Sequence, residues 1–137
     1  ICVGFSEGPL IVSVIVLRTV HEQLRYDTNH ITVEADKPFE IVFENDDLMP
    51  HNLIICQKGA KEALGTAALT MTPDQLDSKG RAYVPERIQI IAATKMLEAG
   101  EKARLPIEGL APGEYEYVCT FPGHWSVMNG KLNIREK

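Results

Sequence analysis

Apolar residues along this chain recur mostly at every second position. Phe39, Ile41 and Phe43 alternate with Glu40, Val42 and Glu44, and Tyr115, Tyr117 and Cys119 alternate with Glu114, Glu116 and Val118. A period of two is that of half-buried strands, with one face on a core and the other toward water. It delivers the Cys119 sulfur to the inward-facing end of its strand. Further strands are predicted at residues 10–20, 31–33, 53–56, 87–91, 103–107 and 131–134. Asp36-Lys37-Pro38, Ala99-Gly100-Glu101 and Ala111-Pro112-Gly113 supply turns between them. Seven to eight short strands with this punctuation predict an all-β, antiparallel sandwich.

One stretch breaks the period. Ala63, Leu64, Ala67, Ala68 and Met71 follow helical spacing, with Gly65 as a weakening element. Thr72, followed by Pro73 and by Gln75 three positions on, has the form of an N-cap with a first-turn proline and a capping box. The expectation is a helical insertion around residues 60–80, packed as a flap on one side of the sandwich, with a second short helix running to about Lys79 before Gly80.

Composition narrows the function classes. At 137 residues and 45% hydrophobic, residues 1–137 make one domain with a real core and are too few for two comfortable ones. The net charge of −5 is spread along the chain, which disfavours nucleic acid and leaves basic protein partners open. The apolar run at residues 10–17 is too short to span a bilayer and follows no basic segment, so it reads as a strand and not as a retained signal peptide. The start at Ile1 suggests a mature secreted chain or a domain cut from a longer protein. Cys2 and Cys56 form one disulfide in an oxidising compartment or stay as two thiols, with Cys56 then a small buried hydrophobe.

The chemistry concentrates near the C-terminus. Cys119, His124 and Met128 put a thiolate, an imidazole and a thioether in one loop at short intervals, and Pro50-His51-Asn52 far upstream brings a second imidazole. Two His, one Cys and a weak axial Met are the ligand set of a blue-copper electron-transfer centre. The spacing and order resemble the type 1 copper proteins, the cupredoxins. The Cys119-to-Met128 loop is most similar to azurin, and Pro50-His51-Asn52 is more similar to plastocyanin.

That resemblance implies a Greek-key β-sandwich and one copper, bound by His51, Cys119, His124 and Met128. The Pro50 carbonyl would approach from the opposite axial side, where azurin has glycine. Asn52 and Thr120 resemble the pair that ties the two ligand loops together and hydrogen-bonds near the Cys sulfur. Leu48, Met49, Phe121, Pro122 and Trp125 are expected to form an apolar collar around a partly exposed His124, suited to transient docking. The alternative for Trp125 is to fold inward and shield the metal. His21 and His30 flank strands among charged residues and carry no metal expectation, and Met71 and Met96 read as packing.

The implied function is one-electron transfer outside the cytoplasm, in the periplasm, between redox proteins such as a c-type cytochrome or a reductase or oxidase, with no enzymatic reaction. Val118 and Thr120 flank Cys119 where a multicopper oxidase or nitrite reductase would place a relaying His, and Gly123 stands where a dinuclear copper centre needs a second Cys. Structural zinc has little use for Met128, and nothing marks the oxyanion site or third group of a Cys-His hydrolase. Copper carriage or storage, and a redox relay within a larger oxidoreductase, remain as alternatives.

Overall fold

The structure is a computed structural model that describes residues 12–136. Its elements are β1 (Ser13–Arg18), β2 (His30–Glu34), β3 (Phe39–Glu44), β4 (Ile54–Gln57), α1 (Lys61–Leu69), β5 (Ile90–Ala93), β6 (Lys102–Ile107), β7 (Gly113–Val118) and β8 (Asn129–Arg135). They form a three-stranded sheet in the order β1-β3-β6 and a five-stranded sheet in the order β2-β8-β7-β4-β5.

Alternation along the strands builds the core between these two sheets. Phe39, Ile41 and Phe43 turn inward from β3, where they meet Leu17, Leu105 and Ile107 of the same sheet and Ile31, Ile55, Tyr117, Leu132 and Ile134 of the other. Each such side chain, fully withdrawn from water, contributes roughly 1.5–3 kcal/mol. Tyr26 adds an aromatic corner, edge-on to Phe43 at 5.8 Å and to Tyr117 at 5.4 Å.

Two pairings depart from the antiparallel expectation. β1 pairs with β3, and β2 with β8, in parallel, whereas the pairs of β3 with β6, β4 with β5 and β7, and β7 with β8 are antiparallel. The chain crosses to the other sheet at β2 before returning, so β1 and β3 point the same way. Alternation within a strand carries no information about this crossing.

The helical insertion covers the outer face of the five-stranded sheet. β4 is buried on both faces: Ile55 points into the sandwich, while Ile54 and Cys56 meet Leu64 of α1 and Ala60, Val84, Ala93 and Val118. Leu64, Gly65 and Ala68 are the buried residues of α1, and Ala60 at its N-cap makes no side-chain capping bond. Packing holds this helix in place of capping. Cys56 is buried in that layer, and its thiol is pushed up to about 12 by burial. Cys2, and with it the disulfide expectation, lies outside the described residues.

The second helix does not form. Thr72 donates its amide to Gln75 Oε1 at 2.7 Å, one half of a capping box, but its hydroxyl goes to Asp74. The chain then closes as a loop in which the Asp77 carboxylate accepts from the Lys79 and Arg81 amides and pairs with the Arg81 guanidinium at 2.7 Å. Gly80 turns it at φ +78°. Local capping chemistry is present without enough buried surface to propagate a helix.

Candidate metal centre

The two loops that leave the five-stranded sheet at one end carry the chemistry. Cys119 follows directly on β7, and a turn returns the chain to β8: the His124 amide donates to Phe121 O (3.0 Å), the Met128 amide to His124 O (2.8 Å) and the Cys119 amide to Met128 O (3.1 Å). Gly123 at φ +90° makes the bend, a left-handed conformation that a β-carbon disfavours. His51 stands just ahead of β4, bridged through its own amide and carbonyl to Leu97 at 3.1 and 2.8 Å.

These turns bring His51, Cys119 and His124 together. Cys119 Sγ lies 3.8 Å from His51 Nδ1 and 3.7 Å from His124 Nδ1, and the donor atoms of the three residues all fall within 4.8 Å of one another. His51, Cys119 and Met128 have no exposed surface and His124 is 3% exposed. The expected partial exposure of His124 is therefore not found. Met128 is tied through its backbone to both Cys119 and His124 and shares the core with Cys119.

Burial shifts the protonation of Cys119 and His124. It pushes the Cys119 thiol up to about 11, against hydrogen bonds from the Asn52 and Phe121 amides that stabilise the thiolate. The same desolvation, with the neighbouring His51, pulls His124 down to about 4, although the Asp47 carboxylate acts the other way. Two imidazole nitrogens and one sulfur converge in a dry pocket. A soft, borderline cation fits this donor set and would take the sulfur as thiolate, releasing its proton.

Asn52 and Thr120 bridge the two loops. Asn52 Nδ2 donates to Thr120 Oγ1 at 2.9 Å, and the Thr120 amide donates to Asn52 Oδ1 at 2.8 Å, so one buried side chain fastens the two loops together. The Thr120 hydroxyl donates onward to Tyr83 O.

Three residues not picked out from the sequence complete the frame. Asn45, fully buried, donates from Nδ2 to Met49 O and Leu97 O, while its Oδ1 accepts from the Thr19 hydroxyl and the Asp47 amide. Tyr26 donates its hydroxyl to Asn52 O at 2.7 Å. Asp47, 3% exposed, places Oδ2 2.8 Å from His51 Nε2. The visible signal was the polar run Asn45-Asp46-Asp47 just before Pro50-His51, whose middle residue alone faces solvent.

The expected collar is mixed. Leu48 is 71% exposed and Met49 41%, Phe121 and Pro122 are half-buried, and Phe121 stacks obliquely on His124 at 4.9 Å and edge-on to Tyr83 at 5.6 Å. Trp125 lies against Gly65 of α1, where a β-carbon would fall 2.1 Å from its Cγ. Its ring therefore rests on the helix. Val127, 59% exposed, was not expected at this end. Pro50 is half-buried beside His51.

The family model described as copper binding proteins, plastocyanin/azurin family, matches residues 14–135. Outer membrane protein H.8 of Neisseria meningitidis is 32% identical over 123 residues, 83% of this chain and 63% of that protein, so the chain spans under two thirds of that relative's length. Azurin of Pseudomonas aeruginosa is 31% identical over 123 residues, 84% of this chain and 80% of that protein. The solved structure of auracyanin A, a "blue" copper protein from Chloroflexus aurantiacus, aligns with a TM-score of 0.79 at 30% identity, covering 89% of this chain and 98% of that one.

Proposed function

Because the chain belongs to the plastocyanin/azurin family of copper-binding proteins, we propose that it carries single electrons between protein partners through one copper held by His51, Cys119, His124 and Met128. The observation that carries this reading is the convergence of two imidazoles and one thiol, donor atoms within 4.8 Å, in a pocket closed to water. The protein is an electron carrier and not an enzyme. Copper bound there supplies reversible Cu(II)/Cu(I) exchange.

The chain's own residues keep that exchange cheap. The Asn52–Thr120 bonds hold the two loops at one separation, the backbone turn from Cys119 to Met128 fixes the spacing of three donors, and burial keeps water out. A site so restrained favours one geometry for both oxidation states. The thiolate of Cys119 and the thioether of Met128 suit Cu(I), and the imidazoles suit Cu(II). The Pro50 carbonyl, next to His51 in the chain, would be a further, weak oxygen donor to the copper.

Buried donors divided between two loops also argue against a copper-delivery or storage role, which needs ligands that solvent and partners can reach. Leu48, Met49, Phe121 and Pro122 form the proposed docking surface, small enough for a short-lived encounter with a c-type cytochrome or with a reductase or oxidase. The proposed setting is extracytoplasmic, in the periplasm. Among the described residues no helix is long and apolar enough to cross a membrane.

Visible absorption and EPR of the Cu(II)-loaded chain test this reading. Intense absorption toward the red with narrow copper hyperfine splitting is expected. A colourless protein that holds the metal at full occupancy would replace electron transfer with carriage.

A further inference from the structure

The Asp47 carboxylate is buried where a charge is costly, so its partners reveal its task. Oδ1 accepts from the Glu22 amide at 3.0 Å and the Leu48 amide at 2.8 Å, and Oδ2 meets His51 Nε2 at 2.8 Å. The exposed His21 imidazole stands 3.9 Å from Oδ1. Glu22 holds φ +61°, an uncommon conformation for a residue with a β-carbon, at the point where its amide faces Asp47. Backbone from two separate segments is thus shaped around this one side chain.

An ionised carboxylate only accepts hydrogen bonds. The Nε2 of His51 therefore carries the proton, and Nδ1, 3.8 Å from Cys119 Sγ, presents its lone pair to the site. We infer that Asp47 is a positioning residue that fixes the tautomer and ring orientation of His51 and lowers the copper reduction potential by placing a full negative charge behind that ligand. This rests on the copper reading above. A carboxylate partner makes the imidazole a stronger donor than a neutral carbonyl would, and its charge favours the more positive oxidation state.

The test uses the copper-loaded chain and the Asp47→Asn variant, which keeps size and loses charge. The expected result is about a tenfold shift of the Cu(II)/Cu(I) equilibrium toward Cu(I), a rise of about 59 mV for a one-electron couple, with the blue spectrum retained. Proton NMR of the Cu(I) form should show a downfield, slowly exchanging His51 Nε2 proton that moves upfield in the variant. An unchanged potential with a lowered unfolding midpoint would mean a merely structural carboxylate and overturn the inference. So would a rapidly exchanging Nε2 proton in the unaltered chain, a measurement that does not depend on the variant folding. Loss of the blue spectrum from the unaltered chain itself would instead defeat the copper reading on which the inference rests.

Discussion

The two loops that converge on the candidate metal centre are secured in opposite ways. Residues 45–52 are locked largely by side chains, beside the backbone bridge of His51 to Leu97: Asn45 holds Met49 and Leu97, Asp47 holds His51, and Asn52 reaches across to Thr120. Residues 119–128 are locked by their own backbone, through the amide bonds that join Phe121 to His124, His124 to Met128 and Met128 to Cys119. Apart from Thr120, which bonds Asn52 and Tyr83, the side chains that anchor the second loop take apolar seats, Phe121 against Tyr83 and Trp125 against Gly65. A polar lock fixes a single ligand with directional bonds, whereas a backbone turn spaces three ligands and leaves their side chains free for metal and packing.

Breaking the second loop at its chemical centre has the largest effect. Cys119→Ser removes the only sulfur that can give a thiolate among the three clustered donors, and the copper-loaded variant should lose its charge-transfer colour entirely. A retained intense visible band would take Cys119 out of the site. Cutting the tie between the loops comes next: Asn52→Ala leaves the buried Thr120 amide without a partner and the Thr120 hydroxyl with its bond to Tyr83 O alone, at a cost of about 2 kcal/mol read from the denaturant midpoint. A midpoint that does not move would show the loops to be independently held.

The apolar seat of the second loop gives a change no larger than that. Gly65→Ala places a methyl 2.1 Å from Trp125 Cγ, so the indole must shift, at about 2 kcal/mol, with an altered tryptophan fluorescence maximum as the readout. An unaltered emission spectrum would show that the ring accommodates the methyl in place. Smallest and most graded is the response to acid. His124, which shares its pocket with the His51 ring at 5.1 Å, titrates near 4 in the folded metal-free chain against an ordinary 6.5. The unfolded chain takes up that proton first, so the metal-free protein should lose stability as pH falls from about 6.5 to about 4, and gain no further loss from this group below that. A flat urea midpoint across the window would contradict the burial of His124.

Chemically distinctive residues were legible in the sequence, and relations between segments were not. Cys119, His124, Met128 and His51 announce themselves by type and spacing, and two-residue alternation located β3 and β7 closely. Alternation is blind to strand direction, so the parallel pairs of β1 with β3 and β2 with β8 went unforeseen. Thr72 to Gln75 has a helix-start signature that Asp74 and Asp77 divert into a loop. Gly65 read as a weak point in a helix because its purpose, a space for Trp125 sixty residues later, exists only in three dimensions. Asn45 and Asp47 were hidden for a related reason: polar residues before a turn are ordinarily solvated, and only the returning segments that carry Glu22 and Leu97 bury these two.

His51 and Cys119 lie 68 positions apart along the chain. Their meeting requires β4 and β7 to be paired, so the pocket is expected to be complete only after those strands have docked. A ligand that binds only this finished arrangement stabilises it by mass action and acts on the unfolding rate far more than on the folding rate. Copper would then serve as a latch: the loaded protein should outlast the metal-free one in denaturant by slow opening, while both refold at similar speed.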